Sequence, residues 1–179
     1  MTETTRLDCR CGRVHLELRG APILSTECCC NSCREAAERL RKLPGAPMLV
    51  TAHGATHFVL YRKDRVHLED PGSVLKELRL TPQSKTRRVV ATCCNTPLFL
   101  EFENGHWLSL YACLWPEGSR PAPELRTMTS DLPAGSPLPA DIPNAKTPSF
   151  SFFAKLLGAW IAMGFRAPKV AIAPGALTV

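Results

Sequence analysis

The chain has 179 residues, 45% hydrophobic and 21% charged, an ordinary globular composition, long enough to bury roughly 70% of the unfolded chain's surface without covalent staples. Lys and Arg outnumber Asp and Glu by 22 to 16, a net charge of +6, while aromatics make up only 7%; the interleaved basic and stacking residues of a nucleic-acid binder are missing, and no nucleic-acid partner is expected. The opening MTETTRLDCR has no apolar run of the kind a secretory signal needs, so a thiol-reducing cytoplasm is expected and nine clustered cysteines point to metal ligation or thiol chemistry rather than disulfides.

In chain order, Cys9-Arg-Cys11-Gly12 comes first, followed by Val14, Leu16 and Leu18 alternating with polar residues, which reads as a strand with one buried face. Gly20-Ala21-Pro22 is a turn, and Cys28-Cys29-Cys30-Asn-Ser-Cys33 follows. From Cys33 to Leu43 the spacing of Ala36, Ala37 and Leu40 among charged residues predicts a short helix, stopped by Pro44-Gly45. Short apolar runs at 48–51, 56–61, 74–80, 89–92, 98–102 and 106–111 read as strands, with turns at His53-Gly54, Lys63-Asp64, Pro71-Gly72, Thr81-Pro82 and Asn104-Gly105. The dense basic runs Arg62-Lys63-Asp64-Arg65 and Lys85-Thr86-Arg87-Arg88 read as solvated faces. A mainly β, antiparallel domain over residues 1–115 is expected. Prolines crowd 116–148, which reads as an extended connector. The last part, 149–179, opens on FSFFAKLLGAWIAMGF, an apolar helix too short for a membrane span of ~20 residues; it is expected to dock on the β domain or on a second copy or partner.

Eight of the nine cysteines fall in three tight groups: Cys9 and Cys11; Cys28, Cys29, Cys30 and Cys33; Cys93 and Cys94. No strand or helix periodicity places them on one face, so they are not core packing. Zinc takes thiolates in tetrahedral geometry, and the CxCxxC of Cys28, Cys30 and Cys33 offers three from one loop and a helix start, where the dipole and free N–H groups favour thiolate. Three ligands leave a fourth position for water or substrate. Cys9 and Cys11 need partners from elsewhere, and Cys94, with or without Cys93, is the evident source. Cys113, within LSLYACLW, reads as a small core hydrophobe, and His15, His53, His57, His67 and His106 read as surface or core residues rather than ligands.

The motifs Cys9-Arg-Cys11-Gly12-Arg-Val14, Cys28-x-Cys30-Asn-Ser-Cys33-Arg34 and Cys94-Asn-Thr96-Pro97-Leu98-Phe99 resemble those of the glutathione-dependent formaldehyde-activating enzyme and centromere protein V family, over the first 115 residues or so. The resemblance implies an Mss4-like zinc-bearing β fold. It implies a structural zinc at Cys9, Cys11 and Cys94, and a second zinc at Cys28, Cys30 and Cys33, near which a glutathione adduct binds. The chain departs from the family pattern at three positions: Ala91 stands where the first cysteine of a CxxC falls, Asn95 replaces a glycine, and Cys29 sits inside the CxC. Either Cys93 swings in to complete the structural site, which requires a bend, or that site keeps three cysteines.

The function this implies is a zinc-dependent carbon-sulfur lyase, or a related enzyme, acting on a thiol adduct of a small aldehyde. Cys28, Cys30 and Cys33 form the catalytic site, and Arg34 beside it favours an anionic thiol such as glutathione. The alternative is a non-catalytic zinc-binding scaffold or interaction module.

Overall fold

The computed structural model describes residues 3–69, 74–172 and 175–177. Its described part is mainly β, with two sheets and two α-helices. Strand β1 (Thr4–Asp8) buries Leu7, and β2 (His15–Arg19) buries Leu16 and Leu18 on the alternation that period-2 side chains require. These two pair antiparallel, and β5 (Val66–Glu69) adds to β2. The result is a three-stranded sheet.

The second sheet has seven strands: β3 (Leu24–Cys28), β4 (Thr56–Arg62), β6 (Leu75–Leu78), β7 (Thr86–Ala91), β8 (Thr96–Phe102), β9 (Trp107–Tyr111) and β10 (Leu125–Thr127). Their spatial order is β10-β3-β4-β9-β8-β7-β6, antiparallel throughout except for the parallel β10–β3 pair. The expected hairpin at Asn104-Gly105 joins β8 to β9, with Asn104 in the left-handed region at φ 59°. The expected turn at Pro71-Gly72 lies outside the described residues.

Both faces of this sheet are covered. Val59, Tyr61, Val89, Leu108 and Leu110 pack with Leu7, Leu16 and Leu18 between the two sheets. On the other face Phe58, Leu60, Val90 and Leu100 pack with Leu40 and Leu156 of the helices. That is why β4 and β8 read as continuous apolar runs instead of alternating ones.

Helix α1 (Asn31–Arg41) begins two residues before the sequence expectation because Cys30 serves as its N-cap, its sulfur accepting from the Cys33 N–H at 3.3 Å. Cys33, Ala36, Ala37 and Leu40 form its buried stripe. Helix α2 (Phe150–Ala162) is capped by Ser149, whose hydroxyl accepts from the Phe152 N–H. It docks through Leu156 and the following Met163, 4% and 2% exposed, while Phe150, Phe153, Leu157 and Ile161 remain exposed. No described helix is long and apolar enough to cross a membrane.

Four expectations are corrected. The segment 116–148 is not a bare connector: Leu125–Thr127 forms the edge strand β10, with the Cys29 N–H donating to the Thr127 carbonyl. A three-residue strand between prolines is too short to show periodicity. The run 48–51 makes only an isolated bridge from Val50 to Thr56. Within the two basic runs, Lys63 is buried on Glu101 and Arg88 is 1% exposed, so neither run is simply a solvated face. Lys63 and Arg88 are carried inward by neighbouring strand residues whose partners are distant in sequence.

Candidate metal centres and an adjoining cavity

The β1–β2 and β7–β8 turns meet, and they bring Cys9, Cys11, Cys93 and Cys94 into one group whose sulfurs lie within 4.8 Å of one another. Sulfur separations are 3.6 Å for Cys9–Cys11, 3.7 Å for Cys9–Cys93, 3.3 Å for Cys11–Cys93 and 3.9 Å for Cys93–Cys94. A tetrahedral tetrathiolate with metal–sulfur bonds of about 2.3 Å has edges of about 3.8 Å, so the group fits a metal ion. The bend that adjacent cysteines require is present. The Cys94 N–H donates to the Ala91 carbonyl, and Asn95 follows at φ 56°, a left-handed conformation that asparagine tolerates better than most residues. Cys93 thus completes the four-sulfur group, while Ala91 is fully buried in the inter-sheet core.

Backbone donors serve this group. Gly12, at φ 73°, turns the chain so that the Val14 N–H reaches the Cys9 sulfur at 3.3 Å. Burial pushes the Cys9 and Cys93 thiols up. Burial also opposes ionisation of Cys94, but the Thr96 hydroxyl at 3.0 Å and the Cys11 N–H outweigh it and hold that thiol at about 6.

The second group is Cys28 at the end of β3, Cys30 at the helix cap and Cys33 in the first turn of α1, again within 4.8 Å. Hydrogen bonds from the Cys28 and Cys33 thiols, then Ser32 and the Cys33 N–H, bring Cys30 down to about 2. The same sharing, taken with burial, raises Cys28 and Cys33. Neither group includes a histidine among the described residues. Cys29 is buried, pointing elsewhere, and joins neither group. Cys113 also stays apart, pushed up to about 12 by burial.

Cys28, Cys30 and Cys33 line a cavity of about 610 Å³ between the seven-stranded sheet and α2. Its walls are mostly apolar, with Phe58, Leu60, Leu100 and Trp107 from the sheet and Phe152 and Leu156 from α2. Arg34 is not in its lining. Its guanidinium donates to the carbonyls of Cys29 and Asp131, both at 2.8 Å, and to the Asn31 side chain, so it pins the chain after β10 onto the start of α1. The cation that lines the cavity is Arg88.

Sequence reasoning missed both Arg88 and the polar framework beneath the second group. There Glu27 accepts from Arg126 Nε at 2.7 Å and from His53 Nε2 at 2.8 Å, and Arg126 also donates to both carboxylate oxygens of Asp141. Arg126 is 2% exposed. This network fixes β10 against β3, and with it the strand end that carries Cys28. The only available signal was an ion-pairing set scattered over positions 27, 53, 126 and 141, which no local pattern reveals.

No family model matches the chain, and no curated protein matches its sequence.

Proposed function

We propose that the protein is a zinc-dependent carbon-sulfur lyase, or a related enzyme, acting on a thiol adduct of a small aldehyde. The observation that carries this reading is a three-cysteine group with no fourth ligand among the described residues, set in the wall of a cavity large enough for a small ligand. The four-cysteine group is then structural, with its ligand positions filled by the chain. The motif resemblance to the glutathione-dependent formaldehyde-activating enzyme and centromere protein V family, with its Mss4-like fold, points the same way.

Zinc held by Cys28, Cys30 and Cys33 would supply a Lewis acid and an anchor for a substrate thiolate or hydroxyl. The chain's own residues prepare that position. The Cys30 sulfur accepts from the Cys33 N–H at 3.3 Å at the α1 N-terminus, and Ser32 Oγ lies 3.2 Å from it, contacts that favour a thiolate there. The apolar walls exclude water. The net charge of +6 attracts an anionic thiol such as glutathione.

A non-catalytic zinc scaffold is the second reading, favoured by the exposed apolar side of α2. Two measurements separate them. Under the lyase reading, glutathione raises the melting temperature, because selective binding stabilises the folded state, and the protein accelerates interconversion of formaldehyde plus glutathione with their adduct, followed by NMR. Cys30→Ser abolishes both and keeps the fold. Absence of both effects in metal-replete parent protein leaves the scaffold.

A further inference from the structure

Arg88 stands on β7 opposite Leu100 of β8 and Leu78 of β6, with its side chain on the helix-facing side of the sheet. It is 1% exposed. Its Nη2 donates to the Ser32 carbonyl at 3.1 Å, while Nε and Nη1, which carry three of the guanidinium's five N–H groups, have no hydrogen-bond partner. Among the described residues no carboxylate lies within ion-pairing distance of Arg88; Asp131, also in the lining, accepts from the Asn31 N–H at 3.1 Å. A guanidinium cannot shed its proton to escape burial, and burying its donors unpaired is costly. The cavity therefore offers a buried guanidinium with unused donors, beside the cysteine group, in a largely apolar chamber.

We propose that this cavity binds an apolar monocarboxylate, with Arg88 as its counter-ion and the hydrocarbon or aromatic body against Phe58, Leu60, Trp107, Phe152 and Leu156. One cation favours one negative charge. A phosphate dianion would ask for more, and Arg88 is the only Lys or Arg in the lining among the described residues. The inference goes beyond the lyase reading and stands on Arg88 and the walls alone; where that reading also holds, the carboxylate belongs to the adduct.

The test is isothermal titration of the full chain with decanoate, decanol and decyltrimethylammonium. A hydrogen-bonded charge pair predicts that decanoate binds about ten- to a hundredfold tighter than decanol and that the cation does not bind. Arg88→Met loses that preference while keeping the parent's metal content, and Arg88→Lys keeps part of it. Equal binding of decanoate and decanol by the parent overturns the proposal, as does no binding of either. A parent that ignores decanoate, with an Arg88→Met protein that loses a metal, would make Arg88 the counter-charge of the cysteine group instead. Should Arg88→Met fail to fold, the decanoate-to-decanol ratio in the parent decides. Both readouts are binding, so a negative lyase assay leaves them untouched.

Discussion

Replacing Cys93 with serine removes one of the four sulfurs through which a metal would link the β1–β2 and β7–β8 turns. Cys9 and Cys93 are 84 residues apart. Treated as a cross-link across that span, the metal removes loop-closure entropy worth about 4 to 5 kcal/mol at 25 °C, which in a chain of this size corresponds to roughly 10 to 18 °C in melting temperature. Elemental analysis of protein purified without chelator, paired with scanning calorimetry, reads both consequences. The three thiolates left at Cys9, Cys11 and Cys94 hold metal less tightly than four, so a chelator that spares the parent lowers the metal content by about one per chain, and the transition then moves down by that amount. Adding Ala91→Cys to the Cys93→Ser protein restores nothing, because position 91 faces the inter-sheet core and not the sulfur group. A Cys93→Ser protein with two metals and an unchanged transition would refute this account, as would rescue by cysteine at 91.

Other outcomes follow from the same contacts. Leu156→Ala empties the main α2 contact with the sheet and should cost about 2 to 5 kcal/mol, read as faster hydrogen exchange across Phe150–Ala162 while β7 and β8 stay protected. His106, buried under α2 and donating from Nε2 to the Leu156 carbonyl at 2.8 Å, is held below 6.5 by burial and by Lys63. Its contribution is full above pH 6.5 and is lost as pH falls below it, so His106→Gln should flatten that part of the stability profile; an unchanged profile would exclude His106 as its source. Glu27→Gln strips one of the two carboxylates that pair with Arg126 and should destabilise by about 1 to 3 kcal/mol, measured by urea unfolding. Cys113→Ala should leave metal content unchanged, and a loss would place Cys113 in a site.

The strands with apolar side chains on both faces, such as Thr56–Arg62 and Thr96–Phe102, were legible because burial on both sides leaves a run of hydrophobic letters. Leu24–Cys28 was not. Its Ser25, Thr26 and Glu27 are buried yet polar, satisfied by Pro121, His57, Leu125 and Arg126, partners that only the folded chain supplies. The cysteine grouping was readable from tight spacing, including Cys93 as one way to complete the first group. Arg34 looked like the site's cation because it adjoins Cys33, but helical geometry turns it to the backbone of Cys29 and Asp131. Arg88 sat in a basic run that reads as solvated, and strand alternation sends it inward.

The two outer strands of the large sheet are each finished by chain that has no regular structure of its own. Asn144 bridges Arg126 beside β10, and Ala176 bridges Glu77 beside β6. Open strand edges are templates for pairing with other chains, so these short bridges act as guards against self-association. The segment that follows α2 thereby covers part of an edge, and shortening the chain before Gly175 would expose Glu77 N–H and carbonyl groups that now bond to Gly175 and Leu177.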